Sequence, residues 1–230
     1  AIKWSVIQKV DIISMSWFIN SSADLPGLFN ALRSAENSGI AMFCASIDEG
    51  GMAPDNTWPG RSKSCIKIGA CTGDGDKLSW VSEKNSSFLF PGDAPISVVG
   101  NKDQWSPHRP MLAGSSVATA RAAGLAAILL YCDKLIKSQD TDNKLQPPSG
   151  GGDVNKPKGQ EIHPSGNNKL EEAFTTLCGG PDSPNKFPRV WLYMPDPQSL
   201  KWDNSSYPEE TKETRLKLVE FLSKLRPPRA

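Results

Sequence analysis

Apolar and polar positions fall into blocks whose spacing switches between helical and extended along the first third of the chain. Ile2, Val6 and Val10 recur at i, i+4 and i+8, which predicts a short helix closed by Asp11. Residues 12–16 are a compact apolar run and predict a buried strand. A polar turn at Asn20, Ser21 and Ser22 follows, and then Leu25, Leu28, Phe29 and Leu32 place an apolar stripe on one helix face. Gly39 stands where a glycine closes a helix. Residues 40–47 and 65–70 predict two more strands, separated by a loop carrying Gly50, Pro54, Pro59 and Gly60.

Helices alternating with strands that are apolar on both faces predict a parallel sheet covered on both sides. Residues 111–137 predict the most apolar helix of the chain, small-sided in its first half and rich in Leu and Ile in its second. A helix apolar all round belongs in a domain interior. The pattern then changes. Residues 138–168 hold Pro147-Pro148 and Gly150-Gly151-Gly152 among polar side chains, and predict a flexible linker. Leu170, Ala173 and Phe174 share a helix face in the next segment, and residues 190–193 predict a strand or packed turn. Ser206 and Glu209 form a capping box ahead of Leu218, Leu222 and Leu225, so the chain ends on an amphipathic helix stopped by Pro227-Pro228. The division is thus 1–137, 138–168 and 169–230: main domain, linker and C-terminal extension.

Charge narrows the classes of partner. The 230 residues carry 26 Lys and Arg against 25 Asp and Glu, which gives no electrostatic reason to expect nucleic acid or an anionic membrane. No uncharged apolar stretch of about 18 residues occurs, so no membrane span is expected. The first ten residues include Lys3, Lys9, Ser5 and Gln8, which is not the pattern of a secretory signal. The five cysteines (Cys44, Cys65, Cys71, Cys132 and Cys178) lack the paired spacing of a zinc site and read as buried thiols, a lean towards a reducing, intracellular setting. The triplets beginning at Asn20, Asn85 and Asn204 match glycosylation acceptors and lean the other way, so the compartment stays open. No cofactor and no metal site are expected.

Candidate chemistry concentrates at Gly114-Ser115-Ser116-Val117-Ala118-Thr119-Ala120-Arg121-Ala122-Ala123-Gly124. A serine at a helix start sits beside unpaired N–H groups and partial positive charge, which suit a nucleophile and its developing oxyanion. The same serine can be a plain N-cap. The segment resembles the nucleophile motif of the subtilisin-like serine proteases, G-T-S-M-A-[ST]-P-x-x-A-G, with Ser116 on the nucleophile. Other segments match in the family's order. Residues 11–16 resemble D-V-I-N-M-S, the strand lining the substrate cleft. Residues 45–50 resemble A-A-G-N-E-G, which carries the oxyanion-hole side chain, and Leu89-Phe90-Pro91-Gly92 resembles M-A-P-G. Together the matches cover residues 1–137.

The resemblance implies an α/β, three-layer subtilisin-like fold with a mainly parallel sheet, its N-terminal strands missing, and a helical C-terminal tail. It implies peptide-bond hydrolysis through an acyl-enzyme on Ser116, with Asp48 at the oxyanion-hole position and Ser16, Trp17 and Phe18 against the substrate. Several residues depart from the pattern: Ser115 for Thr, Ala120 for Pro, Phe18 for the Gly of S-x-G, and Asp48 for Asn. An ionised Asp48 cannot donate a hydrogen bond and repels an oxyanion. The family orders its triad Asp, His, Ser. The motifs for Asp and His therefore belong before Asp11, on an upstream segment or a separate chain. His108 and His163, the two histidines present, fall at neither place. A peptide or protein is the implied partner, either as substrate or held by an inactive scaffold. An α/β-hydrolase is the weaker third reading, because Pro107 and Pro110 oppose the central strand it needs before Ser116.

Overall fold

Parallel pairing runs through the central sheet of the computed structural model, which describes residues 1–19, 25–48, 57–82, 85–95, 111–142 and 166–192. Strands β1 (Ile12–Met15), β2 (Ala41–Ala45), β3 (Ile66–Cys71) and β4 (Phe88–Pro91) lie side by side in that order. Ile12 pairs with Ala41, Phe43 with Ile66, and Ile68 with Phe88. Period-two alternation sends Ala41 and Phe43 to one face of β2 and Met42 and Cys44 to the other, all of them fully buried. Both faces are covered, as the apolar strands predict.

Helices α1 (Ile2–Ile7) and α2 (Pro26–Asn37) cover one face, where Ile2, Ala31, Leu32 and Ala35 meet Met15 and Met42. Pro26 opens α2 with a backbone dihedral already suited to a helix. Gly39, at φ +73°, lies just beyond its Ser38 cap. The first helix ends at Ile7, short of the predicted Asp11, and Lys9 at φ +55° turns the chain into β1.

Helices α3 (Ser115–Asp142) and α4 (Gly166–Leu177) cover the opposite face. Two expectations for α3 are corrected. Residues Met111–Ala113 form a strand rather than the helix start, because they pair antiparallel with Asp93–Pro95. These two strands, β5 (Asp93–Pro95) and β6 (Met111–Ala113), make a ribbon beside the main sheet. Nor is α3 buried all round. Ala118, Ala122, Ala126, Leu129 and Cys132 form its buried stripe, whereas Ile128 and Tyr131 are 52% and 63% exposed. Small side chains let the helix approach the sheet closely on one side, and nothing described covers the other. Residues Ser115–Lys134 are long and apolar enough to cross a membrane by length and composition. In this fold they pack against the sheet as a core helix.

The boundaries after α3 also differ from the sequence pattern. α3 continues to Asp142 and α4 begins at Gly166, so both helices reach into the stretch read as linker. Residues 143–165 and the helix expected near the C-terminus lie outside the described residues, as do the turn at 20–22 and the loop through Gly50 and Pro54. α4 joins the main core: Leu170, Phe174 and Leu177 are buried there, and the Phe174 ring lies 5.3–6.0 Å from those of Phe43, Phe88 and Phe90. At its first turn, Asn167 Oδ1 accepts the Met42 N–H at 2.9 Å and its amide donates to the Ser64 carbonyl. Beyond α4, the Lys186 carbonyl accepts the Leu89 N–H, and residues Val190–Leu192 form a 3-10 turn rather than a strand.

Candidate active site

Two glycines bring the start of α3 against the end of the sheet. The Gly92 N–H donates to the Cys71 carbonyl at 2.9 Å, and the Gly114 N–H donates to the Gly92 carbonyl at 2.8 Å. A Cβ at Gly92 would strike that of Ala70. Gly114 has φ +140°, and a Cβ there would stand 2.8 Å from Asp48 Oδ2. The chain can make this approach only without side chains at both positions.

Helix α3 then opens on two serines with different surroundings. Ser115 is fully buried. Its N–H donates to Asp48 Oδ2 at 2.8 Å and its hydroxyl donates to Asp48 Oδ1 at 2.6 Å. The same hydroxyl accepts the Ala70 N–H from β3 at 3.2 Å. Ser116 is exposed and loosely held. Its Oγ lies 3.4 Å from the Ser16 carbonyl, and the Ser16 hydroxyl lies 3.2 Å from the Ser116 carbonyl. A carbonyl can hold a serine hydroxyl but is no base for it. The Ser116 N–H belongs to the first helical turn, where backbone donors have no partner within the helix.

The structure therefore brings together Ser116, Asp48 and Ser16 from α3, the end of β2 and the end of β1. Trp17 and Phe18 follow directly on Ser16, 40% and 53% exposed. Just beyond them Ile19 pairs with Trp58 through two backbone hydrogen bonds, which fixes the far end of this segment. Apolar side chains thus stand in solvent one and two residues from the Ser16–Ser116 contact.

The described residues contain no histidine, and His108 and His163 lie outside them. Among the described residues no group of three or more His, Cys, Asp or Glu is arranged to hold a metal ion. All five cysteines are buried. Burial pushes the thiols of Cys71 and Cys178 up to about 12; the Asp93 charge adds to this at Cys71 and Arg121 opposes it, while Arg189 opposes it at Cys178. Such thiols stay protonated and do not act as nucleophiles.

Sequence reasoning missed two residues of this region. Ser115 reads along the chain as a mild change beside the nucleophile, and its link to Asp48 spans 67 residues. Arg121 carries no signal either. It donates to the carbonyls of Pro91 and Asp93 and so ties the β4–β5 connection to α3.

An α/β scaffold presents an exposed serine at a helix start, against the residue that follows β1. A family model described as the Subtilase family (peptidase S8) matches residues 1–145, and the chain belongs to that family. It is 29% identical over 133 residues to the major intracellular serine protease of Bacillus subtilis (strain 168), covering 56% of this chain and 39% of that protein. It is 32% identical over 134 residues to an intracellular serine protease of Paenibacillus polymyxa, covering 56% and 38%. The matched region thus spans about two fifths of the length of these curated relatives. Among solved structures, the Prenylagaramide maturation protease PagA shares the fold with a TM-score of 0.53 at 15% identity, over 99% of this chain and 66% of that one.

Proposed function

We propose that the chain carries the nucleophile-bearing part of a subtilisin-like serine endopeptidase. The observation that carries this reading is the placement of Ser116: exposed, at the first turn of α3, against the Ser16 end of β1. In this reading the Ser116 Oγ attacks a peptide carbonyl while a histidine, oriented by an aspartate, takes its proton. That pair comes from an upstream segment or a separate chain, in keeping with the family's order of residues. The oxyanion takes the Ser116 N–H. The histidine then protonates the leaving amine, and water hydrolyses the acyl-enzyme. Ser16, Trp17 and Phe18 line the peptide's path, and the exposed aromatic pair favours a substrate with apolar side chains near the cut.

A second reading keeps the fold and removes the chemistry: a scaffold that holds peptides without cutting them. The resemblance favours it at Asp48, where it aligns a carboxylate with the family's oxyanion-hole amide. A fluorophosphonate probe separates the two. We expect Ser116 to be labelled when the chain is joined to, or mixed with, the segment supplying Asp and His, and Ser116→Ala to abolish labelling. Folded protein that stays unlabelled in that form, while still binding peptides, establishes the scaffold reading instead.

A further inference from the structure

Asp48 occupies the oxyanion-hole position by sequence, yet both of its carboxylate oxygens are directed at Ser115. Ser115 in turn has every polar atom engaged. Its N–H and hydroxyl reach Asp48, the hydroxyl oxygen also accepts the Ala70 N–H, and its carbonyl accepts the Thr119 hydroxyl at 2.7 Å. Ser115 and Thr119 are fully buried. The Ser116 hydroxyl, by contrast, meets among the described residues only the Ser16 carbonyl, in a loose contact at 3.4 Å. The position of the exposed serine is therefore set by the buried serine before it, which hangs on β3 from one side and on Asp48 from the other. Gly114 belongs to the same arrangement, because its missing side chain leaves the space that Asp48 Oδ2 fills.

We propose that Asp48 and Ser115 are a positioning pair for Ser116: the Asp48 carboxylate holds the first turn of α3 through Ser115 and does not serve the oxyanion, which is left to the Ser116 N–H. This rests on Ser116 being the nucleophile. A carboxylate suits the holding role better than an amide does. It accepts both Ser115 donors with charge-assisted bonds, and its charge complements the positive end of the helix. An Asn side chain offers one oxygen and one NH2, so one of the two Ser115 donors loses its acceptor.

The two roles make opposite predictions for Asp48→Asn. A side chain serving the oxyanion gains a donor in the Asn variant, and removing such a donor elsewhere costs about a hundredfold to a thousandfold in rate. A positioning carboxylate loses a bond instead. We expect Asp48→Asn to slow fluorophosphonate labelling, and Asp48→Ala and Ser115→Ala each to slow it by roughly tenfold to a hundredfold per folded molecule. The double variant should be little slower than either single one, because the two residues act as one unit. Peptide hydrolysis should lose kcat with KM nearly unchanged. Labelling is measured in the active form of the protein, with the folded fraction set by circular dichroism. An Asp48→Asn protein that labels or cuts faster than wild type overturns the proposal. So do single variants that are less stable but react at the wild-type rate per folded molecule, which marks a purely structural contact. Wild-type protein that never labels overturns the nucleophile reading and the positioning role with it. Slowed hydrogen exchange at the Ser115 amide that is lost in Asp48→Ala then identifies the failure as one of chemistry, with the contact itself intact.

Discussion

Replacing Phe174 with alanine tests whether α4, which lies beyond the family-matched residues 1–145, is part of the cooperative fold. Phe174 is 0% exposed, and its ring centroid lies 6.0 Å from that of Phe43, 5.3 Å from Phe88 and 5.4 Å from Phe90. The Phe88 contact is edge-on, at 88°. Truncating a buried Phe to Ala costs about 3–5 kcal/mol, counting the lost transfer energy and the cavity left behind. Aromatic pairs at these separations contribute about 0.5–1.5 kcal/mol each beyond their buried area. Three such neighbours place the expected loss near the upper end, about 4–5 kcal/mol. That is about a quarter or more of a typical stability of about 5–15 kcal/mol. For a chain of this length each kcal/mol lowers Tm by about 2–4 °C, so Tm should fall by about 8–20 °C. Urea unfolding followed by tryptophan fluorescence measures the change, with the midpoint falling and the slope unchanged. Phe174→Leu keeps most of the volume and should cost less than about 2 kcal/mol. A Phe174→Ala protein within about 1 kcal/mol of wild type refutes the reasoning, because α4 would then contribute little to the cooperative unit.

Two further outcomes follow from the same geometry. Gly114→Ala forces a side chain onto φ +140° and into Asp48 Oδ2, so it should cost about 1–3 kcal/mol in denaturant unfolding and slow labelling of Ser116; wild-type values for both refute the close approach. The Cys71 and Cys178 thiols, pushed by burial from 9.0 to about 12, hold their protons in the folded state while the unfolded chain ionises near 9. The folded state binds more protons between those values, so stability is fully retained below pH 9 and falls as pH rises towards 12. Urea midpoints at pH 8, 10 and 11 should show this fall. Iodoacetamide at pH 8 should react with the folded chain far more slowly than with the unfolded one, and equal rates contradict the burial.

The sequence by itself determined the layered α/β build and the nucleophile candidate. Strands β2 and β3 were legible because their residues must be apolar on two faces, which leaves a run that few other elements produce; β1, expected to be buried as well, lies at the sheet edge with Ser14 exposed and only Met15 buried. Helix α2 was legible because Leu25, Leu28 and Leu32 recur at helical spacing, and Gly39 marks its end through a backbone angle that glycine adopts without strain. Ser116 stood out because several motifs fall around it in one order. Tertiary structure alone decided the rest. Periodicity could not separate Met111–Ala113 from α3, because a strand of three residues is set by its partner β5 and not by its own side chains. The apolar run of α3 did not reveal which face would be covered. That depended on small residues meeting the sheet, and it left Ile128 and Tyr131 in solvent. The stretch 138–168 read as linker by composition, yet both of its ends are helical, and α4 is held by Phe174 among three rings drawn from β2 and β4. Asp48 shows the limit most sharply. Its position in the chain assigns it to the oxyanion, whereas its two short bonds are to Ser115. A carboxylate's role depends on which donors folding brings to it, and those donors are 67 residues away along the chain.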